Sequence, residues 1–165
     1  MSEQPILDAL ARIPYPVAVV TVGRGGVENG LTVSWLSQVS FSPPQIMIAI
    51  DNHHFSIDFL RSTANFAVNL LREDQRDLAA HFAGPSDTGR GKLEGLQVDE
   101  APSGAPVLRS ALAFLDCELV ASHPCGDHSL FIGEVLHGAV LADGAPLTTA
   151  TGMRYHRARP KKASS

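Results

Sequence analysis

The stretch from Leu31 to Phe41 alternates with a period of two. Leu31, Val33, Trp35, Val39 and Phe41 are apolar among its six odd positions, and only Ser37 breaks the series. Thr32, Ser34, Gln38 and Ser40 are polar among its five even positions, with Leu36 the exception. Side chains along a strand point alternately to its two faces, so this is the pattern of a half-buried strand, or of a bent pair of strands. Its neighbours extend the argument. Val17 to Val22 has the β-branched content of a strand, and Gly23–Arg24–Gly25–Gly26 is a turn. Ser42–Pro43–Pro44 ends the alternating stretch, and Gln45–Ile50 is nearly all apolar, as expected of a strand covered on both faces. Three strands that follow one another through short turns pair antiparallel. That order does not suit a parallel nucleotide-binding sheet.

The rest of the chain fits around this core. Pro5 to Ile13 places Ile6, Leu7, Leu10 and Ile13 on one side of a short helix, which Pro14–Tyr15–Pro16 stops. His53–Ser62 reads as a short helix, Phe66–Leu71 as a strand and Glu73–Phe82 as a helix with Leu78, Ala79 and Phe82 inward. Gly84–Gly91 is a loop and residues 92–110 are irregular. Ala113–Ser122 and Ser129–Leu141 are two long strands joined by a turn over His123–His128. Asp8, Asp58 and Asp77 are solvated helix positions. The expectation is a mainly β (α+β) chain, a small closed antiparallel barrel with peripheral helices. A length of 165 residues fits one domain, over 1–153, followed by a basic tail over 154–165.

With 44% hydrophobic and 18% charged residues, the chain is not of the disordered class. No apolar run approaches the ~18 residues of a membrane span, and the N-terminus lacks the pattern of a signal peptide. A cytoplasmic protein with its two cysteines, Cys117 and Cys125, reduced is expected. Five cations and no acid lie from Arg154 onward, which leaves eight cations against seventeen acids in residues 1–153. An acidic body argues against a nucleic-acid surface. The tail reads as a solvated terminus or as a device that captures a phosphate or a partner.

The chemical motifs are sparse. No G-x-G-x-x-G follows a strand into a helix, and G-x-S-x-G is absent. His123, Cys125 and His128 match no zinc spacing, so no metal is expected. His128 has two readings, as part of a plain Gly126–Asp127 turn or as a side chain that orients an anionic or carboxamide-bearing ligand. The even face of 31–41 also has two, as the wet side of a barrel or as a strip of hydrogen-bonding groups along a flat polar ligand such as an isoalloxazine. Ser56 is a plain helix cap or the mouth of a phosphate site.

Taken in order, these segments resemble a known family. Asn29–Ile50 (NGLTVSWLSQVSFSPPQIMIAI), FAVNLL over Phe66–Leu71, the series Gln75–Leu78–Ala79–Phe82–Ala83–Gly84, Lys92–Leu93, and GDHSLFIGEV over Gly126–Val135 are similar to flavin reductase-like proteins. The likeness runs from about residue 8 to residue 141. It implies an FMN-binding split barrel of Greek-key type. It further implies a homodimer with flavin near the subunit interface, to which Trp35 adds a large apolar surface. The implied activity is hydride transfer from NAD(P)H to FMN, or to FAD, often as the reductase partner of a two-component monooxygenase.

The resemblance also implies a site. Thr32, Val33, Ser34, Trp35, Leu36, Gln38 and Val39 match the strand that contacts the flavin ring and ribityl chain. Ile50, Asp51, Asn52, His53, His54 and Ser56 match the loop and helix start that hold the phosphate, where the two histidines stand in for the usual donors. Phe82 and Ala83 match a segment near the cofactor, and His128 matches the G-D-H histidine on the nicotinamide side. No residue is expected as a certain catalytic acid or base. A flavin-binding electron-transfer protein of the same fold is the alternative, and a haem- or pyridoxal-phosphate-related member of the barrel superfamily is a third reading.

Overall fold

A computed structural model describes residues 3–24, 27–54, 56–84 and 91–151. The basic tail, the glycines at 25 and 26, Phe55 and most of the 84–91 loop lie outside the described residues. The elements in order are α1 (Gln4–Leu10), β1 (Ala18–Arg24), β2 (Val27–Val33), β3 (Leu36–Phe41), β4 (Pro44–Asp51), α2 (Ser56–Thr63) and β5 (Asn65–Leu70). They continue with α3 (Arg76–Ala83), β6 (Val98–Glu100), β7 (Pro106–Leu108), β8 (Ala113–Cys125), β9 (His128–Val140) and a 3-10 turn over Thr149–Thr151.

Seven strands form one sheet in the order β2-β1-β5-β8-β9-β4-β3, antiparallel at every pairing. Its hydrogen-bonded ladder does not close. The strands at its two ends, β2 and β3, are consecutive in the chain and joined only by Ser34 and Trp35. The barrel is thus the split barrel that the resemblance implies, not the closed one read from the residues alone, with its seam at the centre of the alternating segment.

That break shifts the alternation. Leu31 and Val33 are buried as expected, but beyond the seam Trp35, Val39 and Phe41 are exposed, Phe41 at 91%. In β3 only Leu36 and Ser40 are half-covered and a register irregularity falls between Gln38 and Ser40, and the chain leaves one sheet edge and rejoins the other between β2 and β3. Trp35 is held there by its backbone, because Ala49 N–H donates to Trp35 O at 2.9 Å. The turn from β3 to β4 contains a cis Ser42–Pro43 peptide.

Alternate residues of β1 and β4 fill the barrel. Ala18, Val20 and Val22 meet Ile46, Ile48, Ile50, Phe66 and Phe131 in one core. Val17, just before β1, and Val19 on the strand's opposite face pack with Ala79 and Phe82 of α3 in a second core. β1 is therefore covered on both faces, which its unbroken β-branched run reflects. β4 is not. Its Ile residues are buried, but Gln45, Met47 and Ala49 are half-covered, because the helices pack on β1, β2 and β5 instead.

Other expectations shift too. The helix expected from His53 begins at Ser56, and the helix expected from Glu73 begins at Arg76. The irregular 92–110 region contains the small β6–β7 sheet. The helix expected to Ile13 ends at Leu10, and Ile6, Leu7, Leu10 and Ile13 are all exposed. The β8–β9 connection is tighter than the 123–128 turn expected, since only Gly126 and Asp127 lie between the strands and Gly126 adopts φ +60°. His128 is accordingly the first residue of β9, not a turn residue. Cys117 lies in the core, and burial together with Asp116 pushes its thiol up to about 12, while Cys125 is exposed.

Candidate functional site at the seam

The seam gathers expected site residues from four elements. Ser34 is buried, at 8% exposure, and its hydroxyl makes no side-chain hydrogen bond among the described residues. Beside it the Trp35 ring, 44% exposed, lies 4.6 Å from the His128 ring with the planes tilted by 41°. The Tyr15 ring lies 6.2 Å from the same indole, with the planes tilted by 56°. The β4–β9 ladder brings His128 here by pairing it with Asp51.

His128 is oriented by its neighbour, because its Nδ1 lies 2.6 Å from Asp127 Oδ1. An ionised carboxylate only accepts, so Nδ1 carries the proton and the neutral ring offers Nε2 as an acceptor. His128 donates from Nε2 only when it is cationic. Asn52 has a framework role. Its N–H donates to Asp127 O at 3.0 Å and its Oδ1 accepts from Ser129 Oγ at 2.6 Å, which ties the β4 end to the β8–β9 turn. Asp51 accepts His53 N–H at 2.8 Å, and His53 itself is exposed.

The start of α2 makes the other end. Ser56 N–H donates to His54 Nδ1 at 3.2 Å, and Ile57 N–H donates to His54 O at 3.1 Å. The first amides of the helix are therefore already engaged, and Ser56 does not cap it through its hydroxyl. Ser56 Oγ is fully buried with no hydrogen-bond partner, alone in this among the buried side-chain atoms of the described residues. Such a hydroxyl costs about 1–3 kcal/mol unless something binds it. With Nδ1 accepting, neutral His54 carries its proton on Nε2. Burial and the nearby charge of Lys92 hold its pKa below 6.5, with Asp51 opposing in part.

Lys92 is the residue that sequence reasoning missed as a site residue. It is 7% exposed, its Nζ donates to Phe82 O at 2.9 Å, and burial lowers its pKa. A buried ammonium is rare without a function or a partner. A signal was present, since Lys92 is the only lysine outside the tail and directly follows the glycine-rich loop. Lys92, His54 and the orphaned Ser56 hydroxyl form a donor set that fits a phosphate.

Several expected residues do not reach this site. Val33 and Ile50 are core residues, and Leu36 packs against the core. The Thr32 hydroxyl donates to Ala79 O at 2.6 Å and is committed to α3. Gln38 lies opposite Ile46, well along β4 from Asp51, and turns its amide onto Ser40 O, while Val39 is exposed. The hydrogen-bonding strip expected over 32–40 is thus interrupted at the seam. Phe82 is buried at 1%, with its ring so close over Gly30 that a Cβ there would fall 2.6 Å from it. Its carbonyl, not its ring, serves the site through Lys92, and Ala83 is exposed.

The family model described as "Flavin reductase like domain" matches residues 10–159. This chain belongs to the flavin reductase-like domain family. It is 39% identical over 140 residues to the actinorhodin polyketide dimerase of Streptomyces coelicolor, covering 84% of this chain and 77% of that protein. It is 36% identical over 147 residues to the NADH-dependent FMN reductase AsuE2 of Streptomyces nodosus subsp. asukaensis, covering 87% and 79%. The fold of this flavin reductase-like domain matches the Streptomyces globisporus NADH:FAD oxidoreductase SgcE6 in complex with NAD and FAD fragments. That match has a TM-score of 0.81 at 28% identity, over 99% of this chain and 98% of that one. The domain also matches diflavin flavoproteins of Synechocystis, of whose length it spans 23%.

Two hollows of about 330 and 340 Å³ lie away from the seam, one lined by Glu28, Leu93 and Glu94 and the other by Asp99, Arg109 and Phe114. Neither includes Ser34, Trp35, His54, Ser56 or His128.

Proposed function

We propose that the chain is an NAD(P)H:flavin oxidoreductase whose seam holds FMN or FAD, with the phosphate at Ser56, His54 and Lys92 and the nicotinamide beside Trp35 and His128. The observation that carries this reading is the buried, unpartnered Ser56 hydroxyl at the start of α2, where the Ser56 N–H donates to His54, whose pKa feels the charge of Lys92. The family membership and the names of the relatives point the same way.

A bound flavin supplies the hydride acceptor. The chain's own residues do the rest. Lys92 and Ser56 fix the phosphate end. The Ser34 hydroxyl, free of other bonds, is placed to orient the polar edge of the ring. Trp35 and His128 shield one side from water and fix the approach of the dinucleotide. No carboxylate is required as a proton donor.

The working unit is a homodimer. Trp35, just before β3, and Val39 and Phe41 on it expose apolar side chains, and a second copy that covers the seam encloses the site. No described helix is long and apolar enough to cross a membrane, and we place the protein in the cytoplasm. BorF, the flavin reductase component of a two-component tryptophan halogenase, shares the fold at a TM-score of 0.80 and 26% identity. That likeness supports an oxygenase-type enzyme as the consumer of the reduced flavin.

The test is anaerobic mixing of the purified protein, with FMN or FAD added, against NADH and NADPH. Bleaching of the flavin absorbance near 450 nm at a rate that depends on the protein is expected. Flavin that binds but is reduced by neither donor would overturn the reductase in favour of an electron carrier.

A further inference from the structure

Tyr15 is held more firmly than a loop residue needs to be. Pro14 and Pro16 flank it and restrict the backbone on both sides. Its N–H donates to Thr149 Oγ1 at 2.9 Å, and its carbonyl accepts Thr149 N–H at 2.8 Å. Pro16 bridges Thr148, and Val17 N–H donates to Leu147 O at 2.9 Å. The C-terminal segment thus clamps residues 15–17 in place, and the clamp presents one half-buried ring at 6.2 Å and 56° to Trp35.

Trp35 needs such a support. It sits at the break between two sheet edges and is 44% exposed, and no ladder on either side fixes its side chain. Tilted ring pairs at such separations are attractive. Tyr15 at 6.2 Å and His128 at 4.6 Å give the indole ring contacts from two distant parts of the chain.

We infer that Tyr15 is a positioning residue for the nicotinamide dinucleotide, setting the attitude of the Trp35 ring beside His128 and being itself set by Thr149. The inference rests on the reductase reading of the seam. Tyr15 has no hydrogen bond to Ser56, His54 or Lys92, so its influence falls on the dinucleotide and not on the flavin anchor.

Trp35 is the only tryptophan in the chain, so its emission reports this contact directly. Tyr15→Ala should shift Trp35 emission to the red and make it easier to quench with acrylamide. It should raise the KM for NADH or NADPH about 3- to 10-fold while FMN affinity stays within twofold. Tyr15→Phe, which keeps the ring, should restore both the emission and the KM. Thr149→Val removes the side-chain acceptor for Tyr15 N–H and should move both readouts the same way, about 2- to 4-fold in KM. If circular dichroism shows Tyr15→Ala unfolded, Thr149→Val carries the test. Wild-type turnover with an unchanged KM in the folded variant overturns the inference alone, as does a KM that moves together with FMN affinity. Wild-type protein that oxidises neither dinucleotide overturns the reductase reading, and this inference with it.

Discussion

Trp35, in the junction between β2 and β3, and His128, the first residue of β9, stand ring to ring with centroids 4.6 Å apart. β4 makes the contact. Its Ala49 N–H holds the Trp35 carbonyl, and its Asp51 pairs with His128, so one strand sets both partners. The Asp127 carboxylate then fixes which nitrogen of His128 faces outward. A ring buttressed in this way is suited to orienting a flat heterocycle rather than to moving protons.

His128→Ala should therefore lower kcat/KM for NAD(P)H about 5- to 30-fold, the loss of one orienting contact of about 1–2 kcal/mol. Flavin affinity should stay within twofold. Stopped-flow reduction beside equilibrium flavin titration separates the two, and equal losses in both would move His128 to the flavin side.

Lys92→Met should weaken FMN binding about 10- to 100-fold and riboflavin binding hardly at all, because a charge-assisted phosphate contact is lost. Fluorescence titration with each flavin is the measurement. A parallel loss for riboflavin would mean that Lys92 supports the fold and not the phosphate.

Thr32 and Ser34 differ by two residues and should differ in kind. Thr32→Val removes the bond to Ala79 O and should lower the Tm by about 2–4 °C, as expected for about 1 kcal/mol in a chain of this size. Ser34→Val breaks no such bond. It should leave the Tm in place and weaken flavin binding about 2- to 12-fold. Thermal melts and flavin titrations of both variants decide the matter.

Acid should destabilise the flavin-free protein through His54. Burial and Lys92 hold its folded pKa below the ordinary 6.5. The unfolded chain therefore takes up the proton first, so the stability contributed by neutral His54 is complete above about 6.5 and is lost as pH falls through the folded pKa. Tm measured from pH 7.5 down to 5 should fall less steeply in His54→Gln than in the wild type.

Much of the architecture was legible because burial writes itself into the side-chain period. Val17–Val22 shows two-sided burial, and Ala79 and Phe82 mark the inner face of α3. The seam was not legible. The alternation runs through Ser34 and Trp35 without interruption, and only the pairing of β2 with β1 and of β3 with β4 reveals that the chain changes edges there. For that reason the even-face reading groups Gln38 with Ser34, whereas Phe82, which packs under Gly30, enters the flavin set only through the family resemblance. Lys92 and Tyr15 were missed for a related cause. Each gains its meaning from a tertiary neighbour, Phe82 O for one and Trp35 for the other, and neither neighbour adjoins it in sequence.

The two unpaired edges of the sheet, adjacent in sequence and farthest apart in the pairing order, also bear on how the protein would respond to a ligand. A molecule seated on the Ser34–Trp35 junction touches the last strand of each flank at once. Its binding free energy then enters the opening equilibria of both edges by mass action. Amide protons of β2 and β3 should become slow to exchange together, as though the sheet had acquired the missing rung. Occupancy would thus act as a clasp, and a flavin released after turnover would leave the same two strands the first to fray.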